Sequence, residues 1–259
     1  MKKRLDILIS SKYSLSRSKA QQLIEEELVK VDDKIITKPS MLIEEDQEIT
    51  IIEHKSYVSR GAYKLLKAID FFALDFKDKV VLDMGASTGG FTEVSLEAGA
   101  KKVYSVDVGK GELEKSIACN NKVINMEGRD IRTLSKDECS DTQIVVGDLS
   151  FISLKHILPK IKELFNNIEC VLLFKPQFEC GRDIAKKYKG VIKDKNLHKK
   201  LLKEVQQEIN IYGFAISNLT YSLIKGKNGN IEYLLYLNGK SSFDFLIDDI
   251  VNDAFKNLC

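Results

Sequence analysis

From residue 61 onward, short apolar runs alternate with segments whose apolar positions recur every three or four residues. The recurring pattern predicts amphipathic helices over 60–72, 89–98, 153–165 and 194–211. The apolar runs predict strands at 79–83, 102–107, 122–126, 143–148, 168–174, 214–221 and 231–237. Strands that alternate with helices are typical of a doubly wound α/β sheet.

The last two predicted strands have an unusually short connection. Only residues 222–230 lie between them, which is too short for the crossover that a parallel pair requires, so the two strands should pair antiparallel. A mostly parallel sheet that ends in an antiparallel hairpin is characteristic of Rossmann-like methyltransferases. The expected fold class of this region is therefore α/β, with a Rossmann-like methyltransferase sheet.

The N-terminal residues have a different pattern, that of a small α+β module. Serines near residue 14 precede apolar positions at helical spacing, which predicts a helix over 14–28. Two short β segments follow within 29–36 around an Asp-Asp turn, and residues 48–52 predict a further strand. We expect an N-terminal domain at 1–54, a polar linker at 55–60 and a second domain at 61–259.

Composition disfavours several classes of protein. No apolar run reaches the roughly 18–20 residues of a membrane helix. The apolar run that follows the basic N-terminal residues is too short for a signal peptide. The five cysteines are scattered without a C-x-x-C pair, which favours reduced thiols. The three histidines lie far apart, so we expect no metal site. These observations favour a cytoplasmic protein.

Charge is distributed unevenly along the chain. The 40 Lys and Arg residues nearly balance the 38 Asp and Glu residues, so a net charge of +2 provides no general attraction to nucleic acid. Residues 1–20 nevertheless carry a net +5, and residues 182–203 carry a net +7. Two phosphate-contact regions around a target nucleotide explain this pattern, and so does a solvated basic helix face. The candidate RNA contacts are Lys2, Lys3, Arg4, Arg17, Lys19, Arg60, Arg182, Lys186, Lys187 and Lys189.

A glycine-rich turn follows the first strand of the predicted sheet. Such a turn lets the backbone approach a ligand at the carboxyl end of a strand. Ser87 stands where a dinucleotide fingerprint has a glycine, so the turn fits S-adenosylmethionine instead. The candidate cofactor contacts in and beside the turn are Asp83, Gly85, Ala86, Ser87, Gly89, Gly90, Phe91 and Thr92.

Two later strand ends extend the expected cofactor site. Asp107 ends the next strand, where a carboxylate can accept both ribose hydroxyls. Asp130 and Ile131 follow the third strand, where they could hold adenine through its exocyclic amine and its ring face. Asp130 could instead pair with Arg129 or Arg132.

Four charged residues from distant parts of the chain should meet at the ligand-binding edge of the sheet. Asp148 and Lys175 end predicted strands on that edge. Lys64 precedes the first strand of the sheet, and Glu232 begins the antiparallel one. Two lysines and two carboxylates in contact can tune each other's charge state. For any one of these residues taken singly, a surface salt bridge is the alternative.

Longer motifs resemble two known families. Residues 4–9, 16–20 and 29–34 resemble the alpha-L RNA-binding motif of a ribosomal protein and of pseudouridine synthases. Nearly the whole chain resembles the TlyA family of ribosomal-RNA 2′-O-methyltransferases, which are often labelled hemolysins and are related to the FtsJ methyltransferases. The motifs that carry this second resemblance lie at 83–92, 148–154, 175–181, 189–194 and 226–233.

The TlyA resemblance implies methyl transfer from S-adenosylmethionine to the ribose 2′-hydroxyl of a cytidine, with ribosomal RNA or ribosomal subunits as partners. It also implies that Lys64, Asp148, Lys175 and Glu232 form a catalytic tetrad. In this interpretation Lys175 is the base or the group that orients the hydroxyl, and Asp148 sets its charge state. Lys64 and Glu232 would hold the ribose and the network.

Two functions of other classes stay open. The hemolysin label suggests a secreted or membrane-active cytolysin, which the absence of an export signal and of a membrane segment in the sequence disfavours. A non-catalytic RNA-binding ribosome-assembly factor is the other alternative. The intact glycine turn and the four charged residues disfavour it.

Overall fold

A computed structural model of the chain describes residues 2–25, 28–51, 57–226, 228–238 and 246–258, without the side chain of residue 22. The chain divides into two units, Met1–Ser56 and Tyr57–Cys259. Parts of four predicted features lie outside the described residues: the end of the helix over 14–28, residue 52 of the strand at 48–52, residues 55 and 56 of the linker, and residue 227 of the motif at 226–233.

The first unit combines two helices with two small antiparallel sheets. The helices are α1 (Leu5–Lys12) and α2 (Arg17–Glu25). The first sheet pairs β1 (Lys2–Arg4) with β4 (Leu42–Glu44), and in the second sheet β2 (Val29–Val31) lies between β3 (Lys34–Ile35) and β5 (Ile49–Ile51). The unit encloses a core of its own, made of Leu5, Ile9, Ala20, Ile24, Val29, Val31, Ile43 and Ile49.

The second unit is built on a seven-stranded sheet with the spatial order β11-β12-β10-β9-β6-β7-β8. The strands are β6 (Val80–Met84), β7 (Lys102–Asp107), β8 (Val123–Glu127), β9 (Ile144–Gly147), β10 (Glu169–Phe174), β11 (Ile216–Tyr221) and β12 (Tyr233–Leu237). β12 runs antiparallel to both of its neighbours, and the remaining pairs are parallel. The predicted α/β class and the antiparallel closing hairpin are confirmed.

Helices cover both faces of this sheet: α3 (Ala62–Phe72), α4 (Gly90–Glu97), α5 (Lys115–Ala118), α6 (Leu158–Leu164), α7 (Pro176–Glu179), α8 (Arg182–Lys187), α9 (Lys195–Ile211) and α10 (Ile247–Leu258). Val81 and Val171 pack in the core with residues of α3 and α4. The adjacent Leu82 and Leu172 pack in the core with residues of α6, α9 and α10. Burial on both faces explains why the central strands are continuous apolar runs rather than alternating ones.

Several elements differ from the predicted ones, and the prediction lacks α1, β1 and β4 of the first unit and the short helices α5, α7 and α8 of the second. α10 is missing from the prediction, although Ile247, Val251 and Ala254 recur at helical spacing and are buried. The helix predicted over 153–165 is a 3₁₀ turn at Leu154–His156 followed by α6. Pro159 lies in the first turn of α6, where its missing N–H is harmless, and it would disrupt a helix that continued through it.

The strand order places a topological switch point beside β6. The chain leaves β6 for β7 on one side of it, and later returns to β9 on the other side. Ligands of open α/β sheets bind at the carboxyl ends of the strands at such a point. The residues that follow β6, β7, β9 and β10 therefore share the edge at which a site is expected.

Candidate functional site

The turn after β6 leaves no room for side chains at two of its glycines. Gly85 has a φ of +83°, and a Cβ there would lie 3.1 Å from the carbonyl oxygen of Asp148. A Cβ on Gly90, the first residue of α4, would collide with Ser59 Oγ. Gly89 precedes α4 in the left-handed conformation. The turn therefore presents bare backbone beside Asp148.

Asp107, the last residue of β7, is held by two backbone amides. The N–H of Ser87 donates to Oδ2 at 2.8 Å, and the N–H of Gly109 donates to Oδ1 at 2.8 Å. Each carboxylate oxygen retains a lone pair for a further donor. The next residue, Val108, is 71% exposed and offers an apolar surface at this strand end, which the sequence pattern does not single out.

The two residues expected to hold adenine after β8 both contact residues close to them in the chain. The Arg132 guanidinium forms an ion pair with Asp130 at 2.5 Å and lowers the pKa of that carboxyl below its ordinary value. Ile131 is only 5% exposed and packs in the core with Leu134. The structure thus contains the Arg132 pairing that was the alternative to a cofactor contact at Asp130.

Asp83, near the end of β6, is completely buried. Its Oδ2 accepts a hydrogen bond of 2.7 Å from Thr92 Oγ1, and Thr92 also contacts Ser105 Oγ at 2.7 Å. Oδ1 has no hydrogen-bond partner among the described residues. Burial raises the pKa of Asp83 to about 7, because the charged carboxylate is poorly solvated there.

These features fit S-adenosylmethionine. The glycines let the turn pack closely against Asp148 and Ser59, and Asp83 Oδ1 is an acceptor without a protein donor among the described residues. Ser87 donates its N–H to Asp107, whose carboxylate retains lone pairs that ribose hydroxyls would use. Ala86, Phe91 and Thr92 are buried behind the turn, so they support its shape.

The raised pKa of Asp83 has a testable consequence for stability. Between pH about 4 and about 7 the folded protein retains at Asp83 a proton that the unfolded chain releases, so the contribution of Asp83 to stability falls as pH rises through this window. Burial lowers the pKa of His198 to about 4, which gives His198 a contribution of the opposite sign, so the test is the difference between wild type and a variant at each pH. Asp83→Asn keeps an acceptor for Thr92 but does not titrate. We expect the melting temperature of wild type relative to Asp83→Asn to fall as pH rises from about 4 to about 7. The exposed Asp137→Asn is the control, and a difference between wild type and Asp83→Asn that does not change with pH would contradict the assignment.

Four charged side chains meet beside the glycine turn. Lys64 Nζ lies 3.0 Å from Asp148 Oδ2 and 2.7 Å from Glu232 Oε2. Lys175 Nζ lies 2.6 Å from Asp148 Oδ1. The structure therefore brings together Lys64, Asp148, Lys175 and Glu232 as a row of alternating charges, hereafter the tetrad, with each side chain between 3% and 17% exposed.

Strand register explains how these residues converge. Phe174, the last residue of β10, pairs with Tyr233, the first residue of the antiparallel β12. Lys175 and Glu232 are the next residues outward, so both leave the sheet at the same edge. Asp148 follows β9, the other neighbour of β10, and Lys64 reaches it from the first turn of α3.

Opposite charges dominate the electrostatics of the tetrad. Burial by itself would lower the pKa of Lys64, but Asp148 and Glu232 outweigh it and hold that pKa above its ordinary value. Burial would likewise raise the pKa of Asp148, but Lys175 and Lys64 hold it below its ordinary value. The pairing of opposite charges therefore favours the charged forms of Lys64 and Asp148.

Two residues beside the tetrad are missing from the sequence-based site. Ser150 Oγ accepts a hydrogen bond of 2.9 Å from Lys175 Nζ. Phe151 is 92% exposed and has a φ of +64°, a conformation that is rare for a bulky residue. Its ring lies 5.1 Å from that of Phe178. The only sequence signal is their place in the motif after Asp148, because nothing in a sequence separates an exposed phenylalanine from a core one.

The basic residues of the first unit are arranged around a buried acid. Asp6 accepts hydrogen bonds from the side chains of Arg4, Arg17 and Gln21 at 2.9, 3.1 and 2.7 Å. Its side chain is fully buried, and Arg4 above all holds the pKa of Asp6 well below its ordinary value. Asp6 thus orients two of the candidate RNA contacts.

The remaining candidate RNA contacts lie mostly at the surface. In the first unit Lys2 and Lys3 are exposed on β1, Lys3 pairs with Glu45 at 3.1 Å, and Lys19 is half-buried on α2. The five candidates of the second unit are all exposed, and three of them lie on α8: Arg60, Arg182, Lys186, Lys187 and Lys189.

Comparison with known families agrees with this geometry. Residues 57–239 match the FtsJ-like methyltransferase family, and residues 3–49 match the S4 domain. The second unit is therefore a methyltransferase domain, and the first unit contains an S4 domain.

Full-length relatives refine the class. A hemolysin A from Brachyspira hyodysenteriae is 40% identical over 238 residues, which are 90% of this chain and 98% of that protein. The 23S rRNA (cytidine-2′-O)-methyltransferase TlyA of Campylobacter jejuni is 34% identical, again over 90% of this chain and 98% of the relative. A hemolysin-named protein from Streptococcus thermophilus superposes with a TM-score of 0.75 at 34% identity, covering 99% of this chain and 96% of that one.

The chain belongs to the TlyA family of FtsJ-like methyltransferases. The family resemblance and the enzyme class inferred from the sequence are confirmed. Within the described part of the chain, none of the helices has both the length and the apolar character needed to cross a membrane.

Proposed function

We propose that this protein transfers a methyl group from S-adenosylmethionine to the ribose 2′-hydroxyl of a cytidine in ribosomal RNA, in the cytoplasm. The observation that carries the proposal is the tetrad, which lies at the edge of the sheet beside the glycine turn. The choice of cytidine comes from the C. jejuni relative, whose name specifies that nucleoside.

The cofactor would be held by residues of this edge. Asp107 would accept the ribose hydroxyls, the glycine turn from Gly85 to Gly90 would lie along the cofactor, and Asp83 Oδ1 would accept from a donor group. Val108 offers an apolar surface for the adenine ring. When bound, S-adenosylmethionine supplies an electrophilic methyl group on a positively charged sulfur.

The protein's task is to place the hydroxyl and manage its proton. A lysine ammonium has three hydrogens. Lys175 forms an ion pair with Asp148 and donates to Ser150, so at least one of its three hydrogens would be available to the ribose oxygen. Lys175 would therefore orient the 2′-hydroxyl, and fixed orientation can contribute roughly 7–11 kcal/mol to a reaction of this kind.

The other members of the tetrad keep Lys175 in place. Asp148 is shared between both lysines, and Lys64 ties it to Glu232. The carboxylates are the proton acceptors of the network when both amines are protonated. One proton leaves the hydroxyl: Lys175 would take it while passing one of its own hydrogens to Asp148, its partner at 2.6 Å, with Lys64 balancing the charge.

Stacking of Phe151 on the target nucleobase is a separate part of the proposal and can be tested by substitution. The exposed ring of Phe151, held in a strained conformation three residues after Asp148, can stack on the base of the target nucleotide. Stacking contributes about 1–3 kcal/mol per base, so Phe151→Ala should lower kcat/KM for rRNA by about 5- to 150-fold. Calorimetric affinity for S-adenosylmethionine should not change. An equal loss in Phe71→Ala, another exposed phenylalanine, would point to a general effect on folding.

The first unit would bind the RNA backbone. Arg17 is 54% exposed, and its ion pair with Asp6 at 3.1 Å holds its guanidinium in place. If it contacts a phosphate, Arg17→Ala should weaken rRNA binding and flatten the dependence of log affinity on log salt by about 0.7–0.9. Binding measured by filter retention at several salt concentrations tests this. Lys38→Ala in the same unit is the control, and an unchanged slope in Arg17→Ala would exclude the contact.

Labelled-methyl transfer tests the whole proposal. The purified chain is incubated with S-adenosylmethionine labelled in its methyl group and with small subunits, large subunits and naked rRNA. Nuclease digestion then shows whether label resides on the ribose of cytidine. Label at that position is the expected result.

Two other outcomes would overturn the proposal. Tight rRNA binding without label would favour a ribosome-assembly factor. Leakage of liposomes caused by the native protein and lost on heating, together with no label, would favour a cytolysin.

A further inference from the structure

A basic cavity lies beside the loop that precedes β12. Its volume is about 400 Å³, within the range of small-ligand sites. In the described part of the chain its lining contains three lysines and no carboxylate, and consists of Lys187, Tyr188, Lys189, Val191, Lys193 and Asn228. The cavity therefore favours an anionic group.

The walls of this cavity are joined by a buried asparagine. Asn230 Nδ2 donates to the carbonyl oxygen of Gly190 at 2.7 Å, and Asn230 Oδ1 accepts from the N–H of Ile192 at 2.9 Å. His198, also buried, contacts the Ile192 carbonyl oxygen at 3.0 Å and the Tyr233 hydroxyl at 2.9 Å. The lysine-bearing segment is thus fixed to the start of β12.

The same loop connects the cavity to the tetrad. Gly226 packs so closely on Glu232 that a Cβ at Gly226 would collide with Glu232 Oε1. The N–H of Gly226 donates to the carbonyl oxygen of Asn230 at 2.9 Å, which closes the loop. Asn228 lies in this loop and lines the cavity. The cavity and Glu232 are therefore held at a fixed spacing.

We propose that this cavity binds a backbone phosphate of an rRNA nucleotide next to the target, an inference that rests on the proposed function. Lysines bind phosphate as point charges. The Tyr188 hydroxyl donates to Asp194 at 2.9 Å, which fixes the position of its ring in the lining. A phosphate held at this fixed distance from Glu232 determines which nucleotide along the strand reaches Lys175.

The test removes two of the lining charges from the full-length protein. Lys187→Gln/Lys193→Gln is assayed for methyl transfer with extracted rRNA as substrate. We expect KM for rRNA to rise by about tenfold, with kcat within about twofold of wild type. The slope of log affinity against log salt should flatten by about 1.4, or about 0.7 for each lost contact to a single strand.

A second cavity provides a matched control. Lys101 and Lys122 line a cavity of about 310 Å³ at the amino ends of β6, β7 and β8, the opposite edge of the sheet. Lys101→Gln/Lys122→Gln removes the same charge and should leave KM and the salt slope unchanged. A wild-type KM and slope in Lys187→Gln/Lys193→Gln, or an equal change in the control, would overturn the inference.

The wild-type protein separates this inference from the proposed function. If it methylates rRNA and the cavity variant keeps the wild-type KM, only the cavity assignment fails. If it binds rRNA with a salt slope that depends on Lys187 and Lys193 but transfers no methyl group, only the proposed reaction fails.

Discussion

Replacing Lys175 by methionine should lower the rate of methyl transfer to rRNA by at least about 100-fold, while affinity for S-adenosylmethionine changes by no more than a few-fold. Methionine preserves most of the buried length of the side chain but has no N–H for the ribose oxygen. Positioned acid–base groups contribute about 10²- to 10⁴-fold. Asp148 keeps its ion pair with Lys64, so we expect the fold to survive.

Single-turnover methyl transfer and calorimetric cofactor binding measure the two effects separately. Lys77→Met is the control and should behave like wild type, because Lys77 is exposed and lies beside Gly99, before the amino end of β6 and therefore at the edge of the sheet opposite the tetrad. Near-normal turnover in Lys175→Met would remove the role assigned to Lys175. A parallel loss of cofactor affinity would instead indicate that the edge of the sheet had collapsed.

Lys64→Met should have the largest effect on stability. Lys64 neutralises Asp148 and Glu232 at 3.0 and 2.7 Å, and its side chain is only 10% exposed. Without Lys64, Glu232 would be a buried carboxylate that has lost the ion pair seen in the structure. Removing one partner of a buried pair costs about 3–5 kcal/mol. We expect a loss of this size in the free energy of unfolding of the second unit, measured by urea denaturation, and no methyl transfer.

A double variant tests the electrostatic origin of that loss. Lys64→Met/Glu232→Gln removes the stranded charge, and Asp148 keeps Lys175 as its partner. The double variant should therefore be more stable than Lys64→Met, although it stays inactive. Equal stability of the two variants would show that packing around Lys64, and not the charge of Glu232, accounts for the loss.

Much of the fold is predictable from local pattern. All seven strands of the main sheet lie within a residue or two of the predicted ones, because each is an apolar run bounded by turn residues. The antiparallel sense of β12 follows from the length of its connection to β11. The sequence pattern misses β1, which consists of three basic residues and has no apolar one, and it misses β4, although the equally short β2 and β5 are predicted.

The candidate site is predictable in a different way. Asp107, Asp148 and Lys175 end or follow strands, and parallel strands place their carboxyl ends at one edge. Sequence counting treats Asp6 as a charge opposed to the basic N-terminus, whereas the structure makes it the residue that orients Arg4 and Arg17. Asp130 is the opposite case. Its place after a strand predicts a ligand contact, but in the structure its carboxylate forms an ion pair with Arg132.

Periodicity and strand-end chemistry thus specify the class of fold, the edge at which ligands bind and the set of residues that reach it. These features depend on local spacing and chain topology, which a linear sequence carries. Several features depend on distances between segments far apart in the chain: side-chain pairing, the exposure of Phe151, the Asp83 oxygen without a partner among the described residues, and the basic cavity at the loop before β12. Only packing in three dimensions sets those distances, and with them which charges meet and which remain available to a substrate.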